Sequence, residues 1–123
     1  MGCRKNKDAD AIEAFVNKRL SACGVSKREI RCVASIDLKK DEAGLIALAA
    51  SLGVPFQTYS ADALCAVPGS FSGSAFVKET TGVDSVAERA AVKASGGELV
   101  VKKIAEDGMT FALAEYREEV SFE

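Results

Sequence analysis

Alternating strand and helix patterns, followed by an aspartate–glycine hairpin signal near the end, predict an α/β domain. The expected architecture is a three-layer α/β/α domain with one mixed sheet. Parallel strands come first, a C-terminal antiparallel hairpin comes last, and helices cover both faces. The chain has 123 residues, 48% hydrophobic and 28% charged, which supports one core and therefore a single domain over 1–123.

Each element has its own signal. A helix begins after Asp8: Ile12, Phe15, Val16, Leu20 and Cys23 recur on one face, and Gly24 ends the run. Ser26 and Glu29 have capping-box spacing and open a short helical turn. The apolar run from Cys32 to Asp37, polar at its end, reads as a buried parallel strand. Asp41 is expected to cap a second helix with Leu45, Leu48, Ala49 and Leu52 on one stripe and Gly53 as its stop. Pro55 to Tyr59 reads as another strand, and Ser60 as the cap of a short helix through Ala66. A Gly/Ser-rich loop at 67–74 and a short helix near 75–80 follow. Ser85 and Glu88 repeat the capping-box spacing and open an alanine-rich helix that stops at Gly96. Strands at 98–104 and 109–116 flank Asp107-Gly108, and the acidic end, 117–123, is expected to fray.

Composition excludes much chemistry. There is no histidine, which removes histidine triads, histidine general bases and His-bearing zinc motifs. Cys3, Cys23, Cys32 and Cys65 include no C-x-x-C pair, so neither a metal nor a cofactor is expected. Cys23 and Cys32 fit buried apolar positions, whereas Arg4 and Lys5 beside Cys3 would favour its thiolate. The longest uncharged run, 43–61, is broken by Gly53-Val54-Pro55, which argues against a membrane span. Without a signal-peptide pattern, a reduced cytoplasmic protein is the simplest expectation, and Asn6 departs from the myristoylation pattern. Lys27, Arg28 and Arg31 have no aromatic platform beside them, and nucleic acid is set aside.

The formal charge of −2 conceals an asymmetry. Residues 1–40 hold ten of the sixteen Lys and Arg against five acids, whereas 41–123 hold six against thirteen. In a parallel sheet the C-terminal strand ends share one edge, where ligands bind. That edge would gather 2–7, 37–42 and 60–62 and bring Arg4, Lys5, Lys7, Lys39 and Lys40 together as an anion-binding rim. Gly2 permits close backbone approach, and the following amides with Arg4 and Lys5 suit carboxylates or phosphates; an ordinary strand–helix turn is the alternative. Asp37 suits a proton acceptor or a water-orienting group paired with Lys39 or Lys40, against the alternative of a loop cap.

Five blocks then carry a family resemblance: Gly2-Cys3-Arg4; Ala34-Ser35-Ile36-Asp37-Leu38-Lys39; Asp41-Glu42-Ala43-Gly44-Leu45; Tyr59-Ser60-Ala61-Asp62; and Gly82 to Glu88. In this order they resemble the C-terminal domain of the cobalamin-biosynthesis protein CbiG, also found as the stand-alone protein CobE. The resemblance implies a role in building the corrin ring and relates the chain to cobalt-precorrin-5A hydrolase, which opens a ring lactone and releases acetaldehyde. It implies a polycarboxylate corrinoid held by Gly2, Cys3, Arg4, Lys5, Ser35, Lys39 and Ser60. Asp37 or Glu42 would serve as catalytic carboxylate if the chain hydrolyses the lactone. Binding is the activity favoured for this chain, in concert with the remaining domains of CbiG or another corrin-pathway enzyme. The alternatives are a catalytically active hydrolase and a generic small-anion-binding α/β domain. Two departures from the family stand out. Met1 directly precedes Gly2 where relatives have a leading strand, so the first strand is expected to be truncated, and Arg89 stands where proline is common.

Overall fold

The computed structural model describes residues 1–69, 71 and 85–116. In chain order the elements are β1 (Gly2–Cys3), α1 (Ala9–Cys23), β2 (Val33–Ile36), α2 (Ala43–Leu52), β3 (Phe56–Tyr59), α3 (Ala61–Cys65), α4 (Val86–Ser95), β4 (Leu99–Glu106) and β5 (Met109–Ala114). Short 3-10 turns occupy Lys27–Glu29 and Asp37–Lys39. The fold is mixed α/β, with the parallel pair and the C-terminal hairpin both present. The strands do not form one sheet, however. A three-stranded antiparallel sheet runs in the order β1-β5-β4, and β2 and β3 form a separate parallel pair. The division follows from the shortness of β1, which pairs with β5 only at Gly2–Thr110 and Cys3–Met109. The expected helix near 75–80, the 117–123 tail and most of the 67–74 loop lie outside the described residues.

Alternation along β2 divides the interior into two cores. Val33 joins Ile12, Phe15, Val16 and Leu20 of α1, Leu45 and Leu48 of α2, and Met109 and Phe111 of β5. Ala34 and Ile36 join Leu64 of α3 with Val86 and Ala90 of α4. Phe15 meets Phe111 edge-to-face at 6.4 Å between centroids and 88° between planes, a favourable aromatic geometry. Met1 is buried in the larger core, and its ammonium nitrogen donates to the Ala34 carbonyl at 2.9 Å.

The helix ends show where sequence patterns and tertiary demands diverge. Asp8 caps α1 by accepting from the Ala11 amide, and Ser26 with Glu29 forms the expected capping box. Ser60 likewise caps α3. The cap of α2 is Glu42 rather than Asp41, because Asp37–Lys39 winds into its own turn and delays the helix start. Ser85 and Glu88 make no capping box: Ser85 is left-handed at φ 54°, and Glu88 is fully buried, accepting from the Lys103 amide at 2.8 Å. That amide lies where the β4–β5 register shifts between Val101 and Ile104, so the carboxylate completes an interrupted ladder. Cys23 is exposed rather than buried, because the apolar face of α1 leaves the core in its last turn; its thiol donates to the Leu20 carbonyl at 3.4 Å. Cys32 is half-buried.

Two expectations can be measured. A methyl group at Gly44 would approach Ile12 Cδ1 at 2.5 Å and the Lys7 carbonyl at 3.0 Å where α2 crosses the start of α1. Gly44→Ala is therefore expected to destabilise by about 1–2 kcal/mol in denaturant unfolding, overpacking outweighing the helix propensity gained. Burial lowers the Met1 ammonium from its ordinary value of 8.0 to about 6. The folded state then holds fewer protons than the unfolded state between these values, so stability rises as pH increases from about 6 to 8 and is lost as pH falls through the folded value. The expected rise is on the order of 2 kcal/mol, in a window free of histidine, and N-terminal acetylation should flatten it.

Candidate functional site

The segment leaving β1 is stitched to two other elements. Arg4 N donates to the Gly108 carbonyl at 2.8 Å, and Lys7 N closes a turn onto the Arg4 carbonyl at 3.2 Å. Asn6, left-handed at φ 61°, turns its amide toward Glu42 Oε1 at 2.7 Å. Lys7 Nζ meets Asp107 Oδ2 at 3.0 Å. The Arg4 side chain lies against Gly108, where an added Cβ would stand 2.6 Å from its Cδ, so the hairpin tip requires glycine both for this contact and for φ 76°. The turn after β1, the start of α2 and the β4–β5 tip thus form one ridge.

The charges gather around Cys3. Burial raises the Cys3 thiol, and Glu42 raises it further, against opposing pulls from Lys39, the Met1 ammonium and Lys7. The thiolate expected from Arg4 and Lys5 is not favoured, because desolvation and a neighbouring carboxylate outweigh the cations. Burial also raises the Cys32 thiol and the Tyr59 hydroxyl. At the exposed tip, the hydrogen bond and charge of Lys7 hold the Asp107 carboxyl below its ordinary value, with a smaller contribution from Arg4.

The candidate residues fall into distinct settings. Arg4 and Lys5 are exposed, Lys39 is half-buried, and among the described residues none of the three makes an ion pair. Asp37 is exposed at the start of its 3-10 turn, with its carbonyl accepting from the Lys40 amide. Glu42 is engaged by Asn6. Ser60 Oγ already accepts from Ala63 N at 3.1 Å. Ser35 is fully buried, and among the described residues its hydroxyl has no hydrogen-bond partner. Gly2 lies against Thr110, whose Oγ1 would stand 2.5 Å from a Cβ there, so its bareness serves strand pairing. Among the described residues no three His, Cys, Asp or Glu side chains gather as a metal site. Sequence reasoning placed Asn6 within the 2–7 edge but not its bond to Glu42, for which asparagine's tolerance of left-handed backbone was the available signal, and it missed Asp107 as part of the ridge.

The family model described as the cobalamin synthesis G C-terminus matches residues 1–114. The chain belongs to that family. A cobalt-precorrin-5A hydrolase from Salmonella typhimurium is 36% identical over 113 residues, covering 92% of this chain and 32% of the relative. The chain therefore spans about a third of that hydrolase. Protein CobE from a Sinorhizobium species is 34% identical over 117 residues, covering 93% of this chain and 76% of that protein. The crystal structure of CobE, a protein from the cobalamin biosynthetic pathway, superposes with a TM-score of 0.85 at 35% identity, over 97% of this chain and 89% of the other. The cobalamin biosynthesis protein chiG of Agrobacterium tumefaciens gives 0.68 at 30% identity, over 95% of both. In this member of the family, no helix among the described residues is long and apolar enough to cross a membrane.

The ridge generates a local test. Lys7→Gln should return the Asp107 carboxyl toward its ordinary value in a carboxyl NMR titration, while Lys18→Gln, which removes the 3.0 Å pair with Glu106, should leave Asp107 unchanged. An unmoved Asp107 in Lys7→Gln would refute the assigned cause.

Proposed function

We propose that this chain binds a polycarboxylate corrinoid intermediate of cobalamin biosynthesis at the ridge formed by the turn after β1. The observation that carries this reading is the Asn6–Glu42 hydrogen bond, which ties the Arg4–Lys5 turn to the segment bearing Lys39. Arg4, Lys5 and Lys39 are thereby left to meet carboxylates at one edge. Arginine supplies a planar two-donor fork and lysine a compact charge, which suits acetate and propionate groups spread around a flat ring.

Binding is favoured over independent catalysis by the state of the carboxylates. Glu42 is occupied by Asn6, which leaves Asp37 as the exposed carboxylate among the two candidates. A single carboxylate beside lysines can orient water at a lactone, yet lactone opening also needs the developing negative charge to be stabilised by preorganised donors. The remaining domains of a longer protein, or another corrin-pathway enzyme, would complete that environment.

Spectroscopic titration with a corrinoid should give saturable binding. Arg4→Ala and Lys39→Ala should each weaken it about 3- to 10-fold, the effect of losing roughly 1 kcal/mol of rim electrostatics. Arg28→Ala, in the turn before β2, should not. An unperturbed spectrum with the unsubstituted chain would sink the binding reading. Release of acetaldehyde from cobalt-precorrin-5A by this chain alone, abolished in Asp37→Asn, would reassign the ridge as catalytic.

A further inference from the structure

Asp107 carries a charge that its own backbone does not require. Asp107 and Gly108 are the two central residues of the β4–β5 turn, at φ 47° and φ 76°, and Glu106 pairs with Met109 across it. Two left-handed residues between paired strands make a type I′ turn, which asparagine–glycine forms as readily as aspartate–glycine. The carboxylate is therefore explained by what it meets, which is the Lys7 ammonium at 3.0 Å.

The pair is lopsided. The Lys7 side chain is only 19% exposed and the Asp107 side chain 74%. Lys7 is fixed between two elements, since its amide is bonded to the Arg4 carbonyl and its own carbonyl lies against Gly44 at the start of α2. A largely buried ammonium is costly to leave without an acceptor, whereas an exposed carboxylate returns to water at little cost. The cation is thus the fixed partner and the carboxylate the exchangeable one. Lys7 also belongs with the rim: Cys3 lies in the field of both Lys39 and Lys7, and Asp107 in that of Arg4 as well as Lys7.

We propose that Asp107 is a resident stand-in for a ligand carboxylate, which a polycarboxylate anchored at Arg4, Lys5 and Lys39 displaces from Lys7 and a monocarboxylate does not. The exchange rests on the corrinoid-binding reading of the ridge and adds to it a further cation and a means of selection. A carboxylate held in the same fold competes at an effective concentration on the order of millimolar or more, so a small free acid is kept from Lys7. A ring carboxylate on a ligand already held at the rim is delivered at a comparable effective concentration, and Asp107 is released to solvent. Selection then comes from an element set against the wrong ligand rather than from a tighter grip on the right one.

The test titrates the chain with cobyrinic acid, a corrinoid with free ring carboxylates, and with acetate, and follows the Asp107 carboxyl by NMR. Saturation with cobyrinic acid should return that carboxyl toward its ordinary value, and acetate at the same carboxylate concentration should leave it below. Displacement by acetate at that concentration would overturn the selection. Asp107→Asn, which keeps the turn, should tighten cobyrinic acid binding about 2- to 5-fold, the scale of an exposed ion pair. In a Lys7→Gln background the same substitution should bring no gain. A gain that persists there would show Asp107 acting only as a distant negative charge, and the exchange would fall. It would fall equally if cobyrinic acid binds, with weaker binding in Arg4→Ala, yet leaves the Asp107 carboxyl unmoved; the corrinoid-binding reading would then stand without it. Absence of any binding would remove that reading and the exchange together.

Discussion

A single hydrogen bond, from the buried Met1 nitrogen to the Ala34 carbonyl, is the backbone link between the first strand and the parallel pair. Beyond Met1 the chain turns at once to β5 through Gly2 and Cys3, so three consecutive residues touch both sheets. Ala34 is buried, and its carbonyl without this partner would carry the cost of an unsatisfied acceptor, roughly 1–3 kcal/mol. The shape of the neighbouring side chains follows from this placement. Gly2 must be bare because Thr110 lies over it, and Met1 must be apolar because it fills the α1–α2 core.

What sequence patterns revealed, and what they concealed, divides along physical lines. The α1 and α2 stripes, the left-handed stops at Gly24 and Gly53, and the Asp107-Gly108 hairpin were legible because each depends on local backbone preference and periodic burial. Glu88 was illegible for the opposite reason. Its spacing from Ser85 matches a capping box, yet its carboxylate is claimed by Lys103, fifteen residues away, where β4 loses register. No local pattern encodes that demand. Cys3 failed similarly, since neighbours in sequence suggested a thiolate while Glu42, distant in sequence, and burial decide against it. The ridge was half legible. Strand-end logic gathered Arg4, Lys7 and Lys39, but the hairpin tip at Asp107 and Gly108, read only as a turn, joins them through tertiary pairing.

The charge asymmetry of the chain takes on structural meaning at the ridge. The acidic later part returns two carboxylates, Glu42 and Asp107, to the basic first part, and each is taken up by a specific partner. An exposed pair such as Lys7–Asp107 adds little to stability, so its consequence is chiefly geometric: it holds the hairpin tip beneath Arg4. The stem of the exposed Arg4 then rests on Gly108. A long, flexible cation is thereby given a restricted position, with fewer side-chain conformations than a free surface arginine.

The ridge and the buried Met1 nitrogen lie at opposite ends of the same short strand, which raises the question of whether one depends on the other. A strand of two paired residues is too short to position Arg4 by itself. The ridge instead has bonds of its own: Arg4 N to Gly108, Lys7 N to Arg4, Asn6 N to Glu42, and Lys7 to Asp107. None of these involves Met1. The ridge geometry is therefore built by the turn, the start of α2 and the hairpin tip, while the Met1 bond to Ala34 joins the first strand to the parallel pair. A loosening at Met1 should weaken the fold before it displaces the cations, because the contacts that place the cations belong to a different part of the chain from the contact that joins the sheets.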